Sequence, residues 1–235
     1  MNLLHIPAGC YRMFGATETK FQIEVYSKEE INRRIQENVG KRPSYISICY
    51  FDDEKNKYLT HVPFDFDSNN GLEDARAEML LFFNKCREYK FEPKVCFTGG
   101  RGFHIFLCVQ PNIYEKTELN TFQRGLKEKI EEELKLKFKT LDVQIFGDIR
   151  RLIRIPNTLH EKTGLYDTLI DPRWGLPRIL NETKTPLKNF QWYEKEINIR
   201  EEIKRLGLKI KITFFKKSII AVDIRKNHIL VLEDV

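Results

Sequence analysis

Apolar and polar positions change period several times along the chain, and each change marks an element. From Ser27 to about Gly40 the spacing is helical, with Ser27 as N-cap and Glu30 as its capping-box partner. Tyr45 to Phe51 is β-branched and aromatic, which predicts a strand, and Asp52-Asp53-Glu54-Lys55-Asn56 reads as its turn. Tyr58 to Asp67 is the next strand. Pro63 inside it requires an edge position or a place where no N–H is needed. Leu72 to Tyr89 returns to helical spacing, with Met79, Leu80, Phe82, Phe83 and Cys86 on one face. Lys94 to Val109 is a strand broken by glycines, and Glu115 to Phe138 is a second long amphipathic helix. A third helix is predicted over Trp192–Leu206, then strands over Lys209–Phe215, Ser218–Asp223 and His228–Leu232. With no repeat and no Gly/Ser/Pro-rich linker, residues 1–235 read as one domain whose working unit spans about 39–168.

Composition narrows the classes. The 235 residues are 41% hydrophobic, enough for a substantial core. Forty basic residues against 34 acidic ones leave a net charge of +6, which permits a nucleic-acid partner without identifying one. Cys10, Cys49, Cys86, Cys96 and Cys108 stand singly, with no C-x-x-C pair. That argues against a zinc knuckle and a disulfide frame, and for small buried residues in a reducing compartment. Met1 to Gly9 lacks a basic flank and apolar core, and no apolar run approaches the ~20 residues of a membrane span. The expectation is a soluble intracellular protein with no membrane partner.

Three groups of residues carry candidate chemistry. Asp65 and Asp67, separated by Phe66, share one face of a strand because side chains alternate with period two. Such a pair either holds a hard cation through oxygen ligands, Mg²⁺ or Mn²⁺ and not zinc, or lies on a solvated strand face. In Thr98-Gly99-Gly100-Arg101-Gly102-Phe103-His104, glycines free the backbone for an anion and Arg101 offers a forked phosphate donor. A plain hairpin with a satisfied histidine fits the same residues. The third group runs from Asp142 through Arg150-Arg151-Leu152-Ile153-Arg154 to Pro156, His160 and Lys162-Thr163-Gly164. It reads as a basic strand and turn, with Asp148 competing with Asp142 as a third carboxylate.

Together these groups resemble the catalytic core of the archaeo-eukaryotic primase superfamily. That family carries an aspartate-x-aspartate motif, a serine-glycine-x-arginine-glycine-x-histidine motif, and an aspartate followed by a basic residue, a proline and a histidine. Here these match Asp65 and Asp67, then Thr98 to His104, then Asp142, Arg154, Pro156 and His160. Arg154 and His160 follow Asp142 at twelve and eighteen residues. Arg151 to Leu165 is especially similar to archaeal small subunits, and Tyr11-Arg12-Met13-Phe14-Gly15 more faintly resembles an N-terminal segment of the family. The resemblance covers roughly residues 10–170. Thr98 departs from the family serine but keeps the hydroxyl, Gly100 stands where some members have a second arginine, and the zinc-binding insertion of many replicative members is missing.

The resemblance implies a mixed α/β (α+β) fold, an RRM-like palm packed against an N-terminal α/β unit with one cleft between them. It implies that Asp65, Asp67 and Asp142 hold two Mg²⁺ or Mn²⁺ ions for catalysis, with no zinc. Thr98, Gly100, Arg101, Gly102, His104, Arg154, His160 and Lys162 become candidate nucleotide-binding residues. Implied partners are a single-stranded DNA template and nucleoside triphosphates, with an accessory primase subunit, a helicase or other domains if the chain comes from a longer protein. Alternatives are a gap-filling repair polymerase, a catalytically silent RRM-like binding module, and a metal-dependent phosphohydrolase.

Overall fold

The computed structural model describes residues 4–16, 22–39, 42–187, 195–208, 219–223 and 228–232. In chain order the elements are β1 (Arg12–Ala16), β2 (Ile23–Val25), α1 (Lys28–Asn38), β3 (Ser44–Ser47), β4 (Cys49–Phe51), β5 (Lys57–Asp67), α2 (Leu72–Glu88), β6 (Lys94–Phe97), β7 (Gly102–Ile113) and α3 (Lys116–Leu134). A 3₁₀ turn at Val143–Ile145 follows, then β8 (Leu152–Arg154), β9 (Thr168–Leu169), α4 (Leu176–Glu182), α5 (Ile199–Arg205), β10 (Ile219–Asp223) and β11 (His228–Leu232). One sheet has the order β2-β1-β3-β8, a second β4-β5-β7-β6-β9, and β10 pairs with β11. The class is mixed α/β, as the resemblance implied.

Phenylalanines knit the larger sheet to α2. Phe64 and Phe66 on β5 meet Phe82 on α2 at ring-centroid distances of 4.7 and 5.5 Å, and Phe138 closes the cluster 5.7 Å from Phe82. All but Phe138 are fully buried. Phe82→Ala should therefore cost about 3–5 kcal/mol. Four of the five cysteines are buried as expected, while Cys10 is only half-buried.

Several elements differ from the expected ones. Tyr45–Phe51 is not one strand: the chain bends at Ile48, so β3 serves the smaller sheet and β4 the larger. Ile48 still donates to Arg151 O and accepts from Thr60 N–H, which ties the two sheets together at the bend. Pro63 lies in the middle of β5, beyond the reach of β4. Its carbonyl accepts from Gln123 of α3 at 2.9 Å, and Gln123 in turn accepts from Gly147 N–H at 2.7 Å. A buried side-chain amide thus takes over where a ladder strand would need the missing N–H. Ser27 caps α1 by accepting Glu30 N–H at 3.1 Å, but the Glu30 carboxylate takes Tyr26 N–H, one residue before the cap.

Arg12 is fully buried and donates to Ser47 O, His5 O and Thr60 Oγ1. It pins β1 across β3 and β5, and burial lowers its pKa to about 10. Among the described residues of the predicted helix over Trp192–Leu206, only α5 is helical, with Asn198 accepting Arg200 and Glu201 N–H as its cap. Trp192 to Glu194, Lys209–Phe215 and Ser218 lie outside the described residues. Short β1, β2, β9 and α4 had no periodic signal long enough to predict them. Among the described residues no helix is long and apolar enough to cross a membrane.

Candidate active site

Strand alternation on β5 buries Phe64 and Phe66 against α2 and leaves Asp65 half-buried and Asp67 exposed on the opposite face. Residues 140–142 run along one edge of this stretch. Asp67 N–H donates to Thr140 O and Asp142 N–H to Asp65 O, both at 2.8 Å, while Leu141 bridges to Phe66. Directly opposed residues in an antiparallel pair share a face. Asp142 therefore stands beside Asp65. On the other edge Asp65 opposes His104 and Asp67 opposes Gly102 of β7. Asp142, Asp65 and His104 form one row across three segments. Asp148 is outside it, in the turn where its carboxylate accepts Arg150 N–H at 3.1 Å.

Each carboxylate of the β5 pair already has a basic neighbour. His104 Nε2 lies 3.5 Å from Asp65, and Arg101 reaches Asp67 at 2.5 Å and Asn69 as well. Burial pushes the Asp65 pKa up, but His104 and Arg151 outweigh it and the net shift is downward. Burial alone lowers the His104 pKa, yet Asp65, with help from Asp167, raises it overall. Among the described residues no three His, Cys, Asp or Glu side chains already converge as a metal cage. The donor set nevertheless fits a hard divalent cation. Asp65, Asp67 and Asp142 offer only oxygens from one face, and among the described residues Asp142 is committed to a cap on Gln144 N–H at 2.8 Å.

The glycine loop also answers a steric demand within the fold. A Cβ on Gly102 would lie 2.0 Å from Phe66 O, so only glycine lets β7 close on β5 there. A Cβ on Gly99 would meet His160 Cβ at 2.8 Å and Leu165 O at 2.9 Å, and one on Gly100 would meet His160 Nε2 at 2.9 Å. These glycines make room for the 160–165 loop, which locks down through Thr163 Oγ1 donating to Gly99 O at 2.5 Å. The Thr98 hydroxyl bonds Gly102 O at 3.1 Å and accepts Gly100 N–H at 3.4 Å, so it shapes the loop from within.

Arg154 on β8 donates to Leu159 O at 3.3 Å and Tyr45 OH at 3.1 Å, its guanidinium 5.3 Å from the Tyr45 ring centre. Burial and then Arg154 lower the His160 pKa. Lys162 stands exposed at the rim. Asp65, Asp67, Thr98, Gly100, Arg101, Gly102, His104, Arg154, His160 and Lys162 all line one cavity of about 670 Å³ between the two sheets. Asp142 is not on its wall but in the row behind Asp65.

Sequence reasoning passed over three residues. Tyr45 and Arg151 line the cavity, the first under Arg154 and the second within electrostatic reach of Asp65. Tyr45 had no signal beyond its strand, and Arg151 was one of several arginines in a basic run. Asp167 is fully buried, and neither of its carboxyl oxygens has a hydrogen-bond partner among the described residues. Burial raises its pKa to about 7, against the opposing pull of His104 and Arg154. A single aspartate next to a short strand gives no such warning in a sequence.

No protein-family model matches the chain. Curated relatives do. The DNA primase small subunit PriS of Saccharolobus islandicus is 28% identical over 159 residues, and that of Saccharolobus solfataricus 29% over 160. Each alignment covers 60% of this chain and 46% of the relative, so the chain aligns to less than half the length of these relatives. Among solved structures, the polymerase domain of Mycobacterium tuberculosis ligase D in complex with DNA superposes with a TM-score of 0.50 at 10% identity, over 86% of this chain and 72% of that one. That likeness is one of fold. The motif order and these relatives support assignment to the archaeo-eukaryotic primase superfamily, and the fold is of the same kind.

Proposed function

We propose that the protein is a template-directed nucleotidyl transferase, a primase or primase-polymerase that makes or extends a strand from nucleoside triphosphates. The supporting observation is the convergence of three sequence-distant groups, around residues 65, 100 and 157, on one cleft. Asp65, Asp67 and Asp142 would hold Mg²⁺ or Mn²⁺, which supplies neutralisation of phosphate charge and a lowered pKa for the attacking hydroxyl. Arg154, preset by Tyr45 and Leu159 O, presents its charge to the triphosphate at little reorganisation cost. Asp65 raises the His104 pKa, which favours a cation able to donate to a phosphate oxygen, whereas burial and Arg154 lower that of His160 and favour its neutral ring. Arg101 holds Asp67 and would turn to phosphate as a cation takes its place.

The template has a candidate path. Beyond the wall formed by residues 144–150 lies a second open cavity, lined by Lys55, Lys57, Lys116 and Arg150 with the exposed Ile113. The carboxylates there, Glu115 and Asp148, are both occupied with backbone N–H groups. An excess of basic over acidic side chains beside an apolar patch suits a single strand's phosphates and bases. An accessory primase subunit, helicase or other domain would act on this core from outside it.

Incubation with Mn²⁺, labelled nucleotides and primed or unprimed template tests the reading. New strands without primer identify a primase, extension alone a polymerase. Nucleotide hydrolysis with no strand, or single-strand binding with no nucleotide use, would refute it.

A further inference from the structure

Asp167 has no task in the chemistry just described, yet its placement is closely specified. Its backbone clamps the turn between Arg154 and His160: Asn157 N–H donates to Asp167 O at 2.6 Å, and Asp167 N–H to Thr158 O at 2.9 Å. Thr168 opposes Phe97, whose ring faces Phe103 in the core, so Asp167 one residue earlier falls on the cleft face. It lies next to Thr98, in the row that passes through Gly102 to Asp67. The adjoining row holds Asp65, His104 and the small Cys96. A buried carboxyl with both oxygens unsatisfied is costly and calls for a donor. On the same face, His104 Nδ1 is buried and also lacks a partner, while Nε2 faces Asp65. His160 Nδ1 is buried without a partner as well, but His160 belongs to the loop packed over Gly99 and Gly100 and not to this strand ladder.

We propose that Asp167 is a positioning residue: its carboxyl group accepts the Nδ1–H of His104, directly or across one bridging water, and so keeps Nε2 aimed into the cleft. The two orphaned groups are complementary, one lacking an acceptor and the other a donor. Held this way, His104 presents a fixed N–H to a triphosphate oxygen. This last step rests on the nucleotide-binding reading above; the pairing itself does not.

Two variants separate positioning from packing. Asp167→Val keeps the shape and removes the acceptor, and Asp167→Asn keeps an acceptor oxygen. In ¹⁵N spectra without nucleotide, wild type should show His104 protonated at Nδ1 and hydrogen-bonded there. Asp167→Asn should retain that proton with a measurable shift, Asp167→Val should lose the signature, and His160 should not change in either. In kinetic assays Asp167→Val should raise the nucleotide KM about tenfold with kcat nearly unchanged, while Asp167→Asn stays close to wild type. A His104 spectrum identical in wild type and Asp167→Asn overturns the pairing, even if the valine variant fails to fold. A wild-type KM in Asp167→Val overturns the positioning role. If the wild-type protein uses no nucleotide, the proposed function fails, and the spectra still decide the pairing.

Discussion

The carboxylate wall of the cleft is sheet and the cationic wall is mostly loop. Asp65, Asp67 and His104 sit on paired strands, β5 and β7, whose register fixes their neighbours to the residue. His160 and Lys162 sit in irregular backbone between β8 and β9, shaped by positive φ at Asn157 (69°) and Gly164 (70°) and by the glycine loop beneath. Their two histidines are set oppositely, His104 toward the cation and His160 toward the neutral ring. A ladder can hold like charges in a row because its hydrogen bonds dictate spacing. A loop can bring a side chain over a glycine surface that no strand could reach. In the proposed function the first wall would hold a cation in a fixed place, and the second would receive an anion that must enter and leave.

The harshest test falls on the rigid wall. Asp65→Ala or Asp67→Ala should abolish nucleotide addition while single-strand binding persists, because neither carboxylate belongs to the cavity lined by Lys55 and Arg150. Melting should move little for Asp67→Ala, since its pair with Arg101 is solvent-exposed and such pairs contribute about 0–1 kcal/mol. Primer extension at the wild-type rate by either variant would remove the metal assignment. Asp142→Asn should be nearly as damaging and Asp148→Asn close to neutral, because only Asp142 lies in register with Asp65. Mn²⁺-dependent extension by the two variants compares them directly, and an inactive Asp148→Asn beside an active Asp142→Asn would show the row to be misassigned.

This division also explains what could be read in advance. Asp65, Asp67 and His104 were legible because period-two alternation survives into the fold, and Phe64, Phe66 and Phe103 are buried as the pattern demands. The bend at Ile48 was not, since nothing in Tyr45–Phe51 distinguishes a strand that stays in one sheet from one that changes sheets. The neighbour of Gly99 and Gly100 was hidden for a similar reason. Their spacing signals close approach, but what approaches is His160, sixty residues on in the chain. Asp167 was invisible because its character comes from burial by residues distant in sequence.

Asp167 also yields a stability test between the two walls. Its pKa is raised from 3.8 to about 7 in the folded protein. The protonated form is thus favoured by folding, so its contribution is fully present below about pH 4 and is lost as pH rises to about 7. The charges facing it are His104, Arg154 and Asp65. Wild type minus Asp167→Asn should therefore show a falling stability difference across that window, with a limiting slope of about 1.4 kcal/mol per pH unit. Chemical denaturation at pH 4, 5.5 and 7 measures it. A difference independent of pH would mean that Asp167 ionises normally in the fold.

The smallest effect should come from the glycine loop, and it separates the loop wall's shape from its chemistry. Gly100 has no positive φ, so alanine suits its backbone, and its new Cβ would press on the far edge of the His160 ring, 2.9 Å from Nε2. The ring can swing away, at the expense of whatever Nε2 does in the cleft. Gly99 differs. Its φ is 75° and its Cβ would strike the backbone oxygen of Leu165, which has nowhere to go. Gly100→Ala should therefore weaken nucleotide use about tenfold, one charge-assisted contact at the low end of about 1.5–3 kcal/mol, with melting nearly unchanged. Gly99→Ala should lower the melting temperature first, because an L-residue at that φ costs about 1–2 kcal/mol before any clash. His160→Ala on its own should match Gly100→Ala in nucleotide dependence, and combining the two should add nothing further if both act through the same ring. Additive losses would place the function of Gly100 in its own backbone, restoring the anion-cradle reading of the loop over the steric one.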